Sequence, residues 1–119
     1  MLNLDTHILI FALAGNLTAR EERLLSGDSW SISAIVLWEL AKLSQLGRID
    51  VEIDAPELSR VLGGIHVWPL DLMVCRKIRE LDFRGDPVDE IIAATSIVNN
   101  VPLLTRDRVI RKSRLVPLA

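Results

Sequence analysis

Asp86-Pro87-Val88-Asp89-Glu90-Ile91-Ile92-Ala93-Ala94-Thr95 reads as the opening of a helix meant for the interior. Asp86 is suited to the N-cap. Pro87 fits the first helical position, where a missing N–H is no loss and a fixed φ suits the helix. After two acids the run turns apolar and small, and the helix continues to about Asn99-Asn100. A carboxylate flanked by core residues is expensive unless it is paired or held by a cation. Asp89 is such a carboxylate.

Outward from this helix, apolar runs alternate with helical ones. Downstream, Pro102 to Thr105 is a strand, Asp107 to Arg111 a helical turn, and Arg114 to Pro117 a final strand. Upstream, Arg84-Gly85 is a turn, Asp71 caps a helix reaching about Leu81, and Ile65 to Trp68 is a strand closed by Pro69. Asp54 is the expected N-cap of a helix ending at Gly63-Gly64, and Ala34 to Leu46 is a helix stopped by Gly47. Trp30 to Ser33 alternates as a strand does. Thr18 and Glu21 have capping-box spacing for a short helix to Ser26. His7 to Ala14 reads as helix, and Met1 to Asp5 as a first buried strand. Strands alternating with helices imply an α/β fold with a parallel sheet covered on both faces. Residues 1–119 show no repeat or linker and read as one domain. In such folds ligands bind beyond the carboxyl ends of the strands.

Four acids fall where this rule directs attention. Asp5 ends the first strand, Glu39 lies in the helix after the second, Asp89 opens the helix quoted above, and Asp107 follows the fourth strand. Carboxylates converging on one place repel one another, and at least one should have a raised pKa unless a cation is present. Mg²⁺ or Mn²⁺ suits oxygen ligands, lowers the pKa of bound water and stabilises displacement at phosphorus. The chemistry this suggests is phosphodiester hydrolysis by an activated water. The bland roles for the same acids are helix surface for Glu39, turn or N-cap for Asp107, a cap for Asp5 and helix-dipole matching for Asp89. Asp86 reads mainly as an N-cap.

Composition narrows the field further. Net charge is −2, with 9 Lys and Arg against 15 Asp and Glu in residues 1–100, but 5 against 1 in residues 101–119. The late basic group includes Arg106, Arg108, Arg111 and Lys112, a local cluster able to hold phosphates on an otherwise acidic chain. Cys75 stands alone in an apolar stretch, so no intramolecular disulfide forms, and a buried thiol is expected. No signal peptide or membrane span is evident, which makes the cytoplasm the expected compartment and leaves no role for a membrane. Apolar residues reach 50% before glycine is counted. That surplus points to an apolar surface for a partner segment, along residues 7–14 and 34–46. Trp30, Trp38 and Trp68 are expected in core or interface packing, and His7 and His66 in structural or incidental roles. There is no GxGxxG, Walker A, HExxH or paired CxxC motif. A receiver domain would need an acidic pair after the first strand, and a haloacid-type phosphatase Asp-x-Asp-x-Thr. Asp5-Thr6-His7 provides neither.

In order and spacing, Leu4-Asp5-Thr6, Ser33-Ala34 with Glu39, Asp86 to Thr95, and Leu103-Leu104-Thr105-Arg106-Asp107 resemble the four motifs of the PIN-domain nucleases, and among these the VapC-type toxins. The resemblance implies an α/β/α sandwich around a parallel sheet of about five strands. It also implies a Mg²⁺- or Mn²⁺-dependent endoribonuclease acting as the toxin of a toxin–antitoxin pair, with RNA as substrate, a small antitoxin partner and homodimers. By it, Asp5, Glu39, Asp89 and Asp107 form the acidic pocket, with Asp5 and Asp89 the direct metal ligands. Thr6 and Thr105 would support the pocket through hydrogen bonds. Glu90 departs from the pattern, standing where a basic residue is common. The reading from another class is a non-catalytic PIN-like module that only binds RNA or protein; the four intact acids speak against it.

Overall fold

The computed structural model describes every residue from Met1 to Ala119. Four strands, β1 (Leu2–Leu4), β2 (Trp30–Ser33), β3 (His66–Trp68) and β4 (Leu103–Leu104), form one sheet in the order β3-β2-β1-β4. Every pairing is parallel: Asn3 lies opposite both Ser31 and Leu103, and Ile32 opposite Val67. The helices are α1 (Thr6–Ala14), α2 (Ala19–Ser26), α3 (Ala34–Gln45), α4 (Pro56–Gly63), α5 (Leu72–Ile78), α6 (Pro87–Asn99) and α7 (Arg108–Arg111). No helix is long and apolar enough to cross a membrane.

Leu2, Asn3 and Leu4 are all buried. Successive strand residues face opposite sides of a sheet, so both faces of β1 are covered, as the sequence implied. Leu4, Ile8, Leu9, Ile32, Val36, Ile92 and Leu104 form the middle of the core. Within α6, residues Ile92 through Ser96 are buried in unbroken succession. A helix buried on every side is central rather than peripheral. Ala93 and Ala94 supply the small surfaces that let its neighbours approach.

The expected fifth strand is absent. Arg114 to Pro117 forms no strand, and just beyond it Leu118 makes a single parallel bridge to Leu103. Ser113 Oγ accepts the N–H groups of Leu115 and Val116, while Asp82 accepts the Ser113 hydroxyl and the Arg114 N–H. These local bonds compete with a strand ladder, and Pro117 has no N–H to offer.

Smaller departures have equally local causes. The helix expected from Asp54 is capped by Ala55, because Pro56 takes its first turn. The helix after Asp71 stops at Ile78, short of Leu81. Cys75, expected to be buried, is exposed, because α5 buries only Val74 and the next residue has already rotated outward. Trp30 and Trp68 are half-buried, whereas Trp38 is exposed on α3 beside Leu37. His66 packs edge-on against Trp68.

Candidate active site

Asp5 leaves the central strand at its carboxyl end. Its N–H donates to Leu104 O (3.1 Å), so it belongs to the seam between β1 and β4. It stands at the N-cap of α1, yet its side chain makes no capping bond. The carboxylate is instead turned into the protein, with the residue only 4% exposed. Thr105 Oγ1 donates to Asp5 Oδ2 at 2.6 Å, and the same hydroxyl accepts the Asp107 N–H at 3.0 Å. That second bond occupies a lone pair of the hydroxyl, whose one proton goes to Asp5. Asp5 Oδ1 is buried with no partner, and so is Thr6 Oγ1 in the next residue. Burial pushes the Asp5 carboxyl above the usual aspartate range, with Thr105 and the nearby His7 opposing the shift.

Asp89 lies in the first turn of α6, where Asp86 caps the helix through the Val88 N–H. Its pKa is pushed up to about 7, first by burial and then by the negative charges of Asp5, Asp107, Asp86 and Glu39. The Asp89 carboxylate therefore feels every acid singled out in the sequence, and Asp86 as well. Glu39 is half-buried on α3, the helix capped by Ser33 at the end of β2. Asp107 caps α7, its Oδ1 accepting the N–H groups of Val109 and Ile110. Its other oxygen makes no such bond.

The carboxylates are not drawn into a closed cage of three ligands. A Mg²⁺-type ion asks for only one or two carboxylates with several waters. The donor set fits such an ion. It offers a buried, unpartnered carboxylate oxygen on Asp5 together with Asp89, whose charge is otherwise unfavourable. Both are hard oxygen donors of the kind such an ion prefers.

The basic residues divide. The Arg106 guanidinium forks onto Glu21, with Nε to Oε2 at 2.8 Å and Nη2 to Oε1 at 2.7 Å. It also donates to Asn16 O and lies 3.8 Å from the centre of the Phe11 ring. Arg111 donates to Thr105 O at 3.2 Å. Arg108 and Lys112 stay exposed. Sequence reasoning finds the Thr18–Glu21 capping box but not the second role of Glu21, whose two oxygens also receive Arg106 from across the chain. The fork holds the Glu21 pKa down to about 2. It anchors the middle residue of Thr105-Arg106-Asp107, whose neighbours touch the pocket. No local sequence signal pairs residues so far apart.

Away from the acids, half-buried Ile10, Phe11 and Leu13 of α1 face Ile49, Val51 and Val61 across an apolar groove of about 480 Å³. Asp50, Glu52 and Glu57 stand on its margin with one cation, Arg48, so the margin is acidic on balance. The helix at 7–14 thus lines an apolar groove, and exposed Leu37, Trp38 and Leu46 lie on the helix at 34–46. Leu70, Leu72 and Met73 add an exposed apolar group beside α5 that the sequence did not single out.

A buried acid ends the central parallel strand β1, and further acids are delivered by the helices that flank it. The PIN-domain family matches residues 3–114, and the chain belongs to it. Among solved structures, the chain is similar to one in VapBC2 from Rickettsia felis bound to a DNA fragment from its promoter. That match has a TM-score of 0.76 and 20% identity, covering 100% of this chain and 98% of the other. A chain of DNA-bound VapBC from Salmonella typhimurium gives a TM-score of 0.68 at 21% identity, with the same coverage. A toxin–antitoxin complex from Klebsiella pneumoniae gives 0.68 at 16%, covering 94% of this chain and 92% of that one. At such identities the likeness is one of fold. No curated protein sequence matches the chain.

Proposed function

We propose that this protein is a Mg²⁺- or Mn²⁺-dependent endoribonuclease, the toxin of a type II toxin–antitoxin module. The observation that carries the reading is the buried, unpartnered oxygen of Asp5 beside an Asp89 whose pKa is raised to about 7. Two carboxyl groups so unfavourably placed have a purpose if a divalent cation joins them. Asp5 and Asp89 are the ligands in this reading, with Thr105 fixing the orientation of the Asp5 carboxylate. Such an ion supplies charge neutralisation at the phosphodiester and a water acidic enough to act near neutral pH. Glu39 and Asp107, half-exposed at the rim, orient water and accept its proton. Thr6 offers a hydroxyl within the same buried corner. RNA is the substrate, and the exposed Arg108 and Lys112 lie on the side from which its backbone approaches.

The partner reading follows from the surface. The groove along α1 is apolar with acidic margins, suited to an amphipathic basic segment of an antitoxin. The exposed apolar residues of α3 and α5 suit a homodimer. The similar solved structures, a toxin–antitoxin complex among them, support this assignment.

The test is cleavage of a total RNA pool by purified protein with Mg²⁺ or Mn²⁺, with EDTA, and with Asp5→Asn and Asp89→Asn. Metal-dependent cleavage absent from both variants is the expected result. RNA binding without cleavage under every condition would replace the enzyme with a non-catalytic RNA-binding module.

A further inference from the structure

A catalytic pocket built from acids repels the polyanion it is to cut, so cations must stand beside it to hold the strand. Of the four late basic residues, Arg106 is occupied by Glu21, Asn16 O and Phe11, and Arg111 is bonded to Thr105 O. That leaves Arg108 and Lys112 on the α7 side. On the α6 side lies a separate cleft of about 550 Å³, lined by Arg79, Phe83, Arg84, Gly85 and Glu90 among others. It lies at the N-terminal end of α6, the helix that carries Asp89. Gly85 precedes the Asp86 cap, Glu90 follows Asp89, and the Gly85 N–H donates to Glu90 Oε2 at 3.4 Å.

The composition of the cleft is specific. Arg79 and Arg84 are exposed, and neither enters an ion pair. Phe83 is half-buried and contributes an aromatic wall. Glu90 is the one anion in the lining, and its Oε2 already receives the loop amide. The volume lies within the range of small-molecule sites, about 300–1,000 Å³. Two free guanidinium groups and an aromatic side chain are the two kinds of group that single-stranded nucleic acid asks for, one for phosphate and one for a base.

We propose that this cleft is a nucleotide subsite of the RNA strand. Arg79 and Arg84 hold a phosphate near the bond to be cut, and Phe83 stacks the attached base. The assignment rests on the nuclease reading and deepens it, moving one wall of the RNA path to the α5–α6 side. Arg106 is a positioning residue and does not hold phosphate.

The experiment is anisotropy of a fluorescein-labelled 12-nucleotide oligouridylate against salt, with Ca²⁺ replacing Mg²⁺ to suppress turnover. Removing one cation from a phosphate of single-stranded RNA flattens the slope of log K against log salt by about 0.7. The double variant Arg79→Gln/Arg84→Gln should flatten it by roughly 1.4 and weaken binding at low salt at least tenfold. Phe83→Leu, which keeps an apolar side chain against the core, should weaken binding several-fold and leave the slope alone. Arg60→Gln, on the exposed surface of α4, should leave the slope unchanged. An unchanged slope in the double variant, or an equal loss in Arg60→Gln, overturns the subsite. If the wild-type protein still cleaves the RNA pool with metal, the nuclease reading stands and only the subsite is lost. A wild-type protein that neither binds the oligonucleotide nor cleaves the pool removes both.

Discussion

At the residue scale, the acids carry opposing demands of folding and function. Asp89 has a folded pKa near 7 against an ordinary value of 3.8, so it favours the folded state fully only below about pH 4. That favour is lost as pH rises through 7. Asp5 is shifted in the same direction. Asp89→Asn should therefore stabilise the metal-free protein at pH 8 by about 1–2 kcal/mol, after allowance for a half-exposed site. The gain should shrink toward zero by pH 4. Urea denaturation at the two pH values measures it; a variant less stable than wild type at pH 8 contradicts this account of the site. Thr105→Val keeps the side-chain shape and removes the hydroxyl that holds Asp5. A loss of about 10–100-fold in metal affinity or cleavage rate is expected, read by titrating Mg²⁺ against both.

At the element scale, α6 is the most demanding piece of the fold, and it is also the most legible. Asp86 and Pro87 fix its start, and the structure shows the cap and its Val88 bond as expected. Asp86→Ala should cost about 1 kcal/mol of stability in denaturant unfolding, with the loss confined to the cap. Ala93→Leu should cost about 1–3 kcal/mol, because a fully buried position has no room for three more carbons. Elements decided by competition are less legible. The 114–117 segment carries apolar residues that suit a strand, but Ser113 and Asp82 claim its amides, and no pattern within the segment shows that. The stretch around Cys75 misleads because a short apolar helix turns half its residues outward.

At the scale of the whole molecule, the four acids are legible from their places in the chain. Asp5 ends a strand, Asp89 and Asp107 lie at helix starts, and Glu39 sits in the second turn of α3; parallel topology carries strand ends and the helix starts that follow them to one side. The Glu21–Arg106 tie is not legible in this way, since it joins residues with a sequence separation of 85 and neither belongs to a periodic pattern. It has a measurable signature. Glu21 has a lowered pKa, so its contribution is fully present above about pH 4.5 and is lost as pH falls toward 2. Glu21→Gln should cost about 1–3 kcal/mol at neutral pH, and the difference from wild type should vanish in acid. Arg106→Lys keeps the charge but not the fork, and should lose most of the same stability. Because the pocket acids titrate in the opposite sense, metal-free wild-type protein should be more stable near pH 5.5 than at pH 8, and weaken again below pH 4.

β1 sits between β2 and β4, and Asp5 receives its hydroxyl partner from Thr105. On a ribosome, therefore, β1 must wait for a partner made 100 residues later. Until residues beyond 105 clear the exit tunnel, Leu2–Leu4 has one open edge and Asp5 lacks the group that orients it. A chain halted before Leu103 has neither the second neighbour of β1 nor the hydroxyl that holds Asp5, so under the proposed function a truncated product would be harmless.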